Sequence, residues 1–366
     1  MNSVIIVGGG IIGLLTANEL NKAGLKVTLI DRQPFGQESS WAGGGILSPL
    51  FPWRYPDEIT RLARLSQQIY SNTIEPMKRK TGLDPEYLPS GMLILGNYEE
   101  EKPLHWALKH QVRMEALDNH RIQKLAPEVN PDFEHALWMP NVYQVRNPKL
   151  LALVKAYLAT TDITLIENQQ VDEIIVEDMQ VKGVKTRHKT FLADSTVIAS
   201  GAWSSSLLPN NITGLGVKPI RGQMLLLKGP PFKVRHITLS KDRYIIPRKD
   251  GHVLIGSTTE DAGFNKDTTH SIQEELLEFA YSTIPALQNY TLEHHWSGLR
   301  PRHDSGIPLI GRHPEIKHLY MNTGHYHNGL VLAPASARIL CQIMLNTPTT
   351  LAETDYAPCD AIHNKN

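Results

Sequence analysis

The sequence predicts an α/β protein in which a parallel-sheet unit is interleaved with an antiparallel α+β unit. Three observations carry that expectation. Residues 1–31 read as strand, glycine turn, helix and strand; a helix and three short apolar strands follow residue 148; and the pattern from Val217 to about Arg300 is antiparallel.

In the opening stretch, the apolar run Ser3–Val7 leads directly into Gly8-Gly9-Gly10-Ile11-Ile12-Gly13. A helical pattern follows (Ile12, Leu15, Leu20, Ala23), then Gly24, then Val27–Ile30 closed by Asp31. In this order the glycines form a dinucleotide fingerprint. Gly8 permits a tight turn, Gly10 lets backbone approach a pyrophosphate, and Gly13 lets the helix pack closely on the sheet. The free N–H groups of the helix start face the phosphates, and Asp31 is placed to accept hydrogen bonds from a ribose diol.

Length and composition agree with this frame. At 366 residues the chain can bury a substantial core, in two domains. Its formal net charge of zero points to neither nucleic acid nor an acidic membrane surface as partner. The only cysteines, Cys341 and Cys359, suit a reducing cytoplasm and offer neither a disulfide framework nor a zinc site. Residues 4–15 are apolar, but no Lys or Arg precedes them and glycines interrupt them, so a signal peptide is not the reading. No apolar segment is long enough to span a bilayer.

Phe35 to Pro56 reads as a loop centred on Ser39-Ser40-Trp41-Ala42-Gly43-Gly44-Gly45-Ile46, small residues that let backbone lie close to a flat ligand. Asp57 opens a helix. Residues 87–145 mix short strands with proline-rich turns. Helix 149–160 and the strands Ile163–Ile166, Val171–Val176 and Thr196–Ala199 return to the first unit, with Gly201 at a strand end. In the antiparallel stretch one helix carries Ser271 and Glu274 as a capping box and stops at Pro285. A strand near Leu319–Met321, the turn Thr323–Gly329 and a helix from Pro334 to Leu345 end the ordered pattern. The expected division is 1–86, 146–216 and 301–346 for the dinucleotide unit, 87–145 and 217–300 for the second unit, and a polar tail over 347–366.

These motifs together resemble the D-amino-acid oxidase family of flavoproteins, and within it the glycine oxidase (ThiO-type) branch. Besides Gly8–Gly13 and Asp31, the resemblance rests on Glu38–Ile46, Ala199–Ser204, Arg221-Gly222-Gln223-Met224, Tyr244–Arg248, Trp296–Pro301 and Thr323–Gly329. It implies non-covalent FAD, a Rossmann-type FAD-binding domain and an antiparallel substrate domain over the flavin face. On that template Ile11, Ile12, Asp31 and Arg32 flank the adenosine and pyrophosphate. Ser39, Ser40, Gly44, Gly45 and Ile46 lie along the pyrophosphate and flavin, and Val171 lines the adenine pocket. The segment His325-Tyr326-His327-Asn328-Gly329-Leu330-Val331 approaches the pyrimidine edge, where a helix start would stabilise the negative charge of reduction.

The implied reaction is oxidation of a small amino acid: hydride leaves the α-carbon for flavin N5, the imine hydrolyses to a 2-oxo acid and ammonia, and dioxygen is reduced to hydrogen peroxide. Arg300 matches the carboxylate-binding arginine, whose planar fork makes two parallel hydrogen bonds. Tyr244 matches an active-site tyrosine; Arg248 and Arg302 are expected to be structural. The branch usually has arginine where this chain has His327. A titrating imidazole there predicts a KM that rises between about pH 6 and 8, and His327→Arg is expected to tighten glycine binding. No metal site is expected: the close histidine pairs, His294-His295 and His325 with His327, lack a carboxylate cluster. A role in thiamine thiazole biosynthesis and a homotetramer are further implications. Three other readings stand open on sequence: an NAD-linked enzyme, an FAD amine dehydrogenase that reduces a quinone, and a non-catalytic flavin-binding module.

Overall fold

The opening stretch folds as its pattern dictates in a computed structural model that describes residues 2–96, 101–208, 215–231 and 233–358. Strand β1 (Ser3–Val7), helix α1 (Ile11–Lys22) and strand β2 (Lys26–Ile30) form a βαβ unit whose strands run parallel, Val7 beside Ile30. Gly8 leaves β1 at φ 114°, where a side chain is strained. A β-carbon on Gly13 would come 1.8 Å from the Gly8 carbonyl oxygen, so glycine there lets α1 lie against the turn.

Around β1 and β2 grows a six-stranded sheet in the order Leu309–Arg312, Leu319–Thr323, Ser195–Ile198, β1, β2, Thr164–Ile166. Every ladder is parallel except the one between Leu309–Arg312 and Leu319–Thr323. The carboxyl ends of four parallel strands therefore open on one side, at Gly8, Asp31, Ala199 and Gly324. One face of the sheet is covered by α1 and the helices Asn147–Leu158, Asp57–Thr81 and Gly329–Met344. The strands Val171–Glu177, Gln180–Thr186 and Thr190–Leu192 stay apart from it as a small antiparallel sheet of their own, on the opposite face.

The second large sheet has eight strands, in the order Thr291–His303, Val217–Lys228, His252–Gly256, Arg243–Pro247, Ile237–Ser240, Met92–Leu95, His135–Met139, Glu115–Asp118. It is antiparallel as expected save for one parallel ladder, Ile237–Ser240 with Met92–Leu95. The segment 87–145 also contributes two helices, Glu101–Lys109 and Asn119–Leu125, where the sequence suggested only strands and turns. Asp118 caps the second through a hydrogen bond from Arg121 N (2.9 Å).

Three local expectations are corrected. The last helix begins at Gly329 and not at Pro334, which it contains. Proline donates no hydrogen bond to Leu330 O, and that carbonyl accepts from Tyr70 Oη (3.3 Å), while Ala335 N donates to Ser66 Oγ (3.2 Å). The helix His270–Thr283 carries no capping box: Thr269 precedes it, held by its N–H to Gln223 Oε1 (3.0 Å), and Ser271 lies inside the first turn. The region from 347 is not a free polar tail. Tyr356 is buried, its hydroxyl donates to Glu58 O (2.8 Å) and its carbonyl accepts from Ile310 N (2.8 Å). Cys359 and the residues after it lie outside the described residues.

Candidate active site

A cavity runs between the two large sheets, from the ends of β1 and β2 to the face of the eight-stranded sheet. At its first end Asp31 accepts from Gly9 N (2.6 Å) and Gln33 N (2.9 Å). Burial raises its carboxyl above the usual range, against the lowering effect of those two N–H groups and of Arg32. Arg32 pairs with Glu38 (3.0 Å) and stacks on Trp203 (3.9 Å). Ser40 Oγ accepts from Ile11 N (2.9 Å), and so ties the loop after residue 38 to the start of α1. Val171 lines the same end, and Gly201, past the carboxyl end of Ser195–Ile198, lies farther along the wall.

Along the middle, Gly44 and Gly45 pack against the second unit. A β-carbon on Gly44 would lie 2.6 Å from Ile246 Cδ1, and one on Gly45 2.0 Å from Val145 O. Glycine therefore serves close approach of two protein surfaces here, besides any ligand. Arg248, expected to be structural, is buried and donates to Val145 O (2.9 Å) and Gly44 O (2.7 Å), which holds this seam.

The far end is built by cross-strand neighbours. Tyr244 and Met224 both face Gly256 from opposite sides, and the Tyr244 ring lies across that glycine to donate to Met224 Sδ (3.5 Å). Arg300, on Thr291–His303, donates from Nη1 to Thr258 O (3.0 Å) and Arg221 O (3.3 Å), and from Nη2 to Ser257 Oγ (2.7 Å). All three acceptors are neutral, and among the described residues no carboxylate pairs with Arg300. Its charge is left for the cavity it lines.

The turn before the last helix completes this end. His325 is buried, bonded through Nε2 to Ser336 Oγ (3.0 Å), and burial pushes its pKa down to about 3. Tyr326 takes a left-handed φ of 49° and stacks on His327 with 3.7 Å between ring centres. His327 is open to the cavity rather than tucked into the core. The protein around it, then the guanidinium groups of Arg300 and Arg302, push its pKa down to about 3. The direction of that shift runs against the expectation of a His327 that titrates between pH 6 and 8.

The cavity brings together Gly8, Gly10, Ile11, Ile12, Asp31, Arg32, Ser39, Ser40, Gly44, Gly45, Ile46, Val171, Gly201, Tyr244, Arg300, His325, Tyr326, His327, Gly329 and Leu330. Three expected residues stand behind its wall. Gly13 packs on Gly8, Val331 is in the core, and Asn328 is buried and hydrogen-bonded with the Tyr55 hydroxyl. Sequence reasoning missed Asn147, Met224, Ser257 and Gly222. Gly222 did carry a signal, since glycine inside a strand marks close approach by another group. Asn147 offered none; its Nδ2 donates to Ser40 O (2.7 Å). Among the described residues no group of three or more His, Cys, Asp or Glu is arranged to hold a metal ion. No described helix is long and apolar enough to cross a membrane.

Residues 3–343 match the model of the DAO family, described as FAD dependent oxidoreductase. Over 356 residues the chain is 41% identical to a glycine oxidase of Pseudomonas putida, covering 97% of this chain and 98% of that one. It is 30% identical over 358 residues to the bifunctional protein ThiO/ThiG of a Nostoc species, 93% of this chain matching 52% of that longer one. The crystal structure of glycine oxidase from Geobacillus kaustophilus superposes with a TM-score of 0.92 at 26% identity, covering 99% of this chain and 100% of that one.

The chain belongs to the DAO family of FAD dependent oxidoreductases, and its cofactor is FAD. Family, relatives and site together define an FAD-dependent amino-acid oxidase. The residues present fit that cofactor. The cavity is lined from the glycine turn and the α1 start through to Arg300, and Asn147 Oδ1 and Asn322 Oδ1 are buried in its wall without a partner among the described residues.

Proposed function

We propose that the chain oxidises glycine or another small amino acid, sarcosine and small D-amino acids included, to the imine and thence to a 2-oxo acid and the freed amine (ammonia from a primary amino acid, methylamine from sarcosine), with dioxygen reduced to hydrogen peroxide. The observation that carries this reading is the Arg300 guanidinium, held by neutral acceptors only and presented to the cavity. Bound FAD would supply the acceptor for the hydride of the substrate's α-carbon. Arg300 receives the substrate carboxylate in its planar fork, and the Tyr244 hydroxyl becomes a second donor on the same wall once it turns from Met224 Sδ. Met224 and the Tyr244 ring make that wall apolar, which keeps water from competing for the guanidinium. His327, with a pKa near 3, is too weak a base to take a proton from the substrate ammonium at neutral pH. A substrate amine that arrives neutral needs no base from the protein, and kcat/KM is then expected to rise with pH as it deprotonates.

The names of the relatives support glycine as substrate and, through ThiO/ThiG, a place in thiamine thiazole biosynthesis. A cytoplasmic setting and a homotetramer belong to the same reading. Anaerobic mixing of the holoenzyme with glycine, sarcosine, D-alanine and D-proline tests it: at least one should bleach the flavin absorbance, and air should then yield peroxide. An oxidised spectrum with all four would refute the substrate class. Bleaching without peroxide under air would point to a quinone as acceptor instead.

A further inference from the structure

We infer that Glu260 and Gly222, which no part of the reaction touches directly, set the direction of the Arg300 guanidinium and are positioning residues for carboxylate binding. The inference rests on the reading of Arg300 given above.

Gly222 sits on Val217–Lys228, diagonal to Arg300 across a ladder in which Ile220 faces Arg300 and Gly222 faces Gly298. Diagonal neighbours on one face of an antiparallel pair are within reach of long side chains. Here the guanidinium fills the space a side chain would take. A β-carbon on Gly222 would lie 2.0 Å from Nη1, 2.1 Å from Nη2 and 2.3 Å from Cζ of Arg300. Any other residue at 222 must drive the guanidinium off its three acceptors.

Glu260 acts from behind. It is absent from the cavity wall. Its carboxylate is held by Arg221 Nη2 (2.6 Å), by Gln223 Nε2 (3.0 and 3.2 Å) and by the Thr258 hydroxyl. Arg221 and Thr258 are the two residues whose carbonyls accept from Arg300 Nη1. The backbones of Arg221 and Glu260 also exchange both N–H···O bonds (2.9 and 3.0 Å), and Gln223 N donates to Thr258 Oγ1 (2.9 Å). One carboxylate thus draws together the side chains of two residues that aim their main-chain oxygens at Arg300. It also offsets the charge of Arg221, so the free positive charge of the site is Arg300's alone among these neighbours.

The test uses the FAD-loaded enzyme and two readouts, steady-state kinetics with glycine and the dissociation constant of acetate from its perturbation of the flavin spectrum. Glu260→Gln keeps the shape of the side chain and removes its charge. It should raise KM and the acetate constant together by about ten-fold while kcat changes less, the mark of lost carboxylate binding. Gly222→Ala should raise the acetate constant by about a hundred-fold or more. Arg300→Lys should weaken acetate in the parent but strengthen it in the Gly222→Ala background, since an ammonium on a flexible stem can pass the new methyl. Should Glu260→Gln and Gly222→Ala both keep parental constants while Arg300→Leu loses acetate, the positioning role is wrong and the carboxylate reading stands. Should Arg300→Leu itself keep parental constants, both fall. If Gly222→Ala yields no folded holoenzyme, Glu260→Gln decides alone: an unchanged acetate constant overturns the inference.

Discussion

His327 stands beside two guanidinium groups that disfavour its protonated form, and that changes what pH can do to substrate binding. An imidazole whose pKa is pushed down to about 3 carries no charge to lose between pH 6 and 8. The acetate inhibition constant should therefore be flat over that range, and His327→Gln should leave the flat profile in place. A constant that rises several-fold in the parent and not in the variant would restore a titrating His327. His325 makes the complementary case for stability. Its folded pKa is about 3, depressed by burial from 6.5, so below pH 6.5 the unfolded chain binds a proton that the folded chain refuses. Stability is present above that pH and is lost as pH falls toward 3, by about 1.4 kcal/mol per unit. Thermal melts from pH 7 to 5 should show His325→Asn flattening this slope, whatever it costs at pH 7. At this scale Arg300 and Tyr244 were legible only through the motifs around them. The downward shift of His327 was not legible, because it comes from the protein packed around it and then from two arginines that approach it only in the folded chain.

Among the elements, the terminal segment departs most from its composition. Polar sequence from 347 on reads as tail, but one aromatic ring outweighs it. Tyr356 is buried against Glu58 and Ile310, and the ion pairs Arg61–Asp355 (2.8 Å) and Arg312–Glu353 (2.8 Å) flank it. Surface pairs of this kind contribute little, whereas deletion of a buried aromatic side chain costs about 3–5 kcal/mol. Tyr356→Ala should lower the denaturant midpoint without changing the flavin spectrum, and Glu353→Gln should leave the midpoint within error. The same weighing explains the other elements that sequence misplaced. The last helix tolerates Pro334 because Tyr70 and Ser66, more than 260 residues earlier, hydrogen-bond to the groups it disturbs. The capping box failed because Gln223, on a distant strand, fixes Thr269 as the residue before the helix. Local patterns found the longer helices but not Glu101–Lys109 or Asn119–Leu125, and long-range partners chose where the misplaced ones start.

For the whole molecule, the βαβ opening and the antiparallel face were readable because period and glycine spacing are local signals. The seam between the sheets was not. It depends on Gly44, Gly45, Val145, Ile246 and Arg248 meeting, and nothing in their spacing announces that. Strand order in the six-stranded sheet has a further consequence. β1 pairs with β2 at once, but its other neighbour is Ser195–Ile198, and the strand beyond that is Leu319–Thr323. On the ribosome, the nascent chain must carry an unfinished sheet edge through most of its synthesis, in the condition that invites chaperone capture. Translation stalled before residue 319 should leave the N-terminal region open to brief protease treatment, and release of the full-length polypeptide should close it.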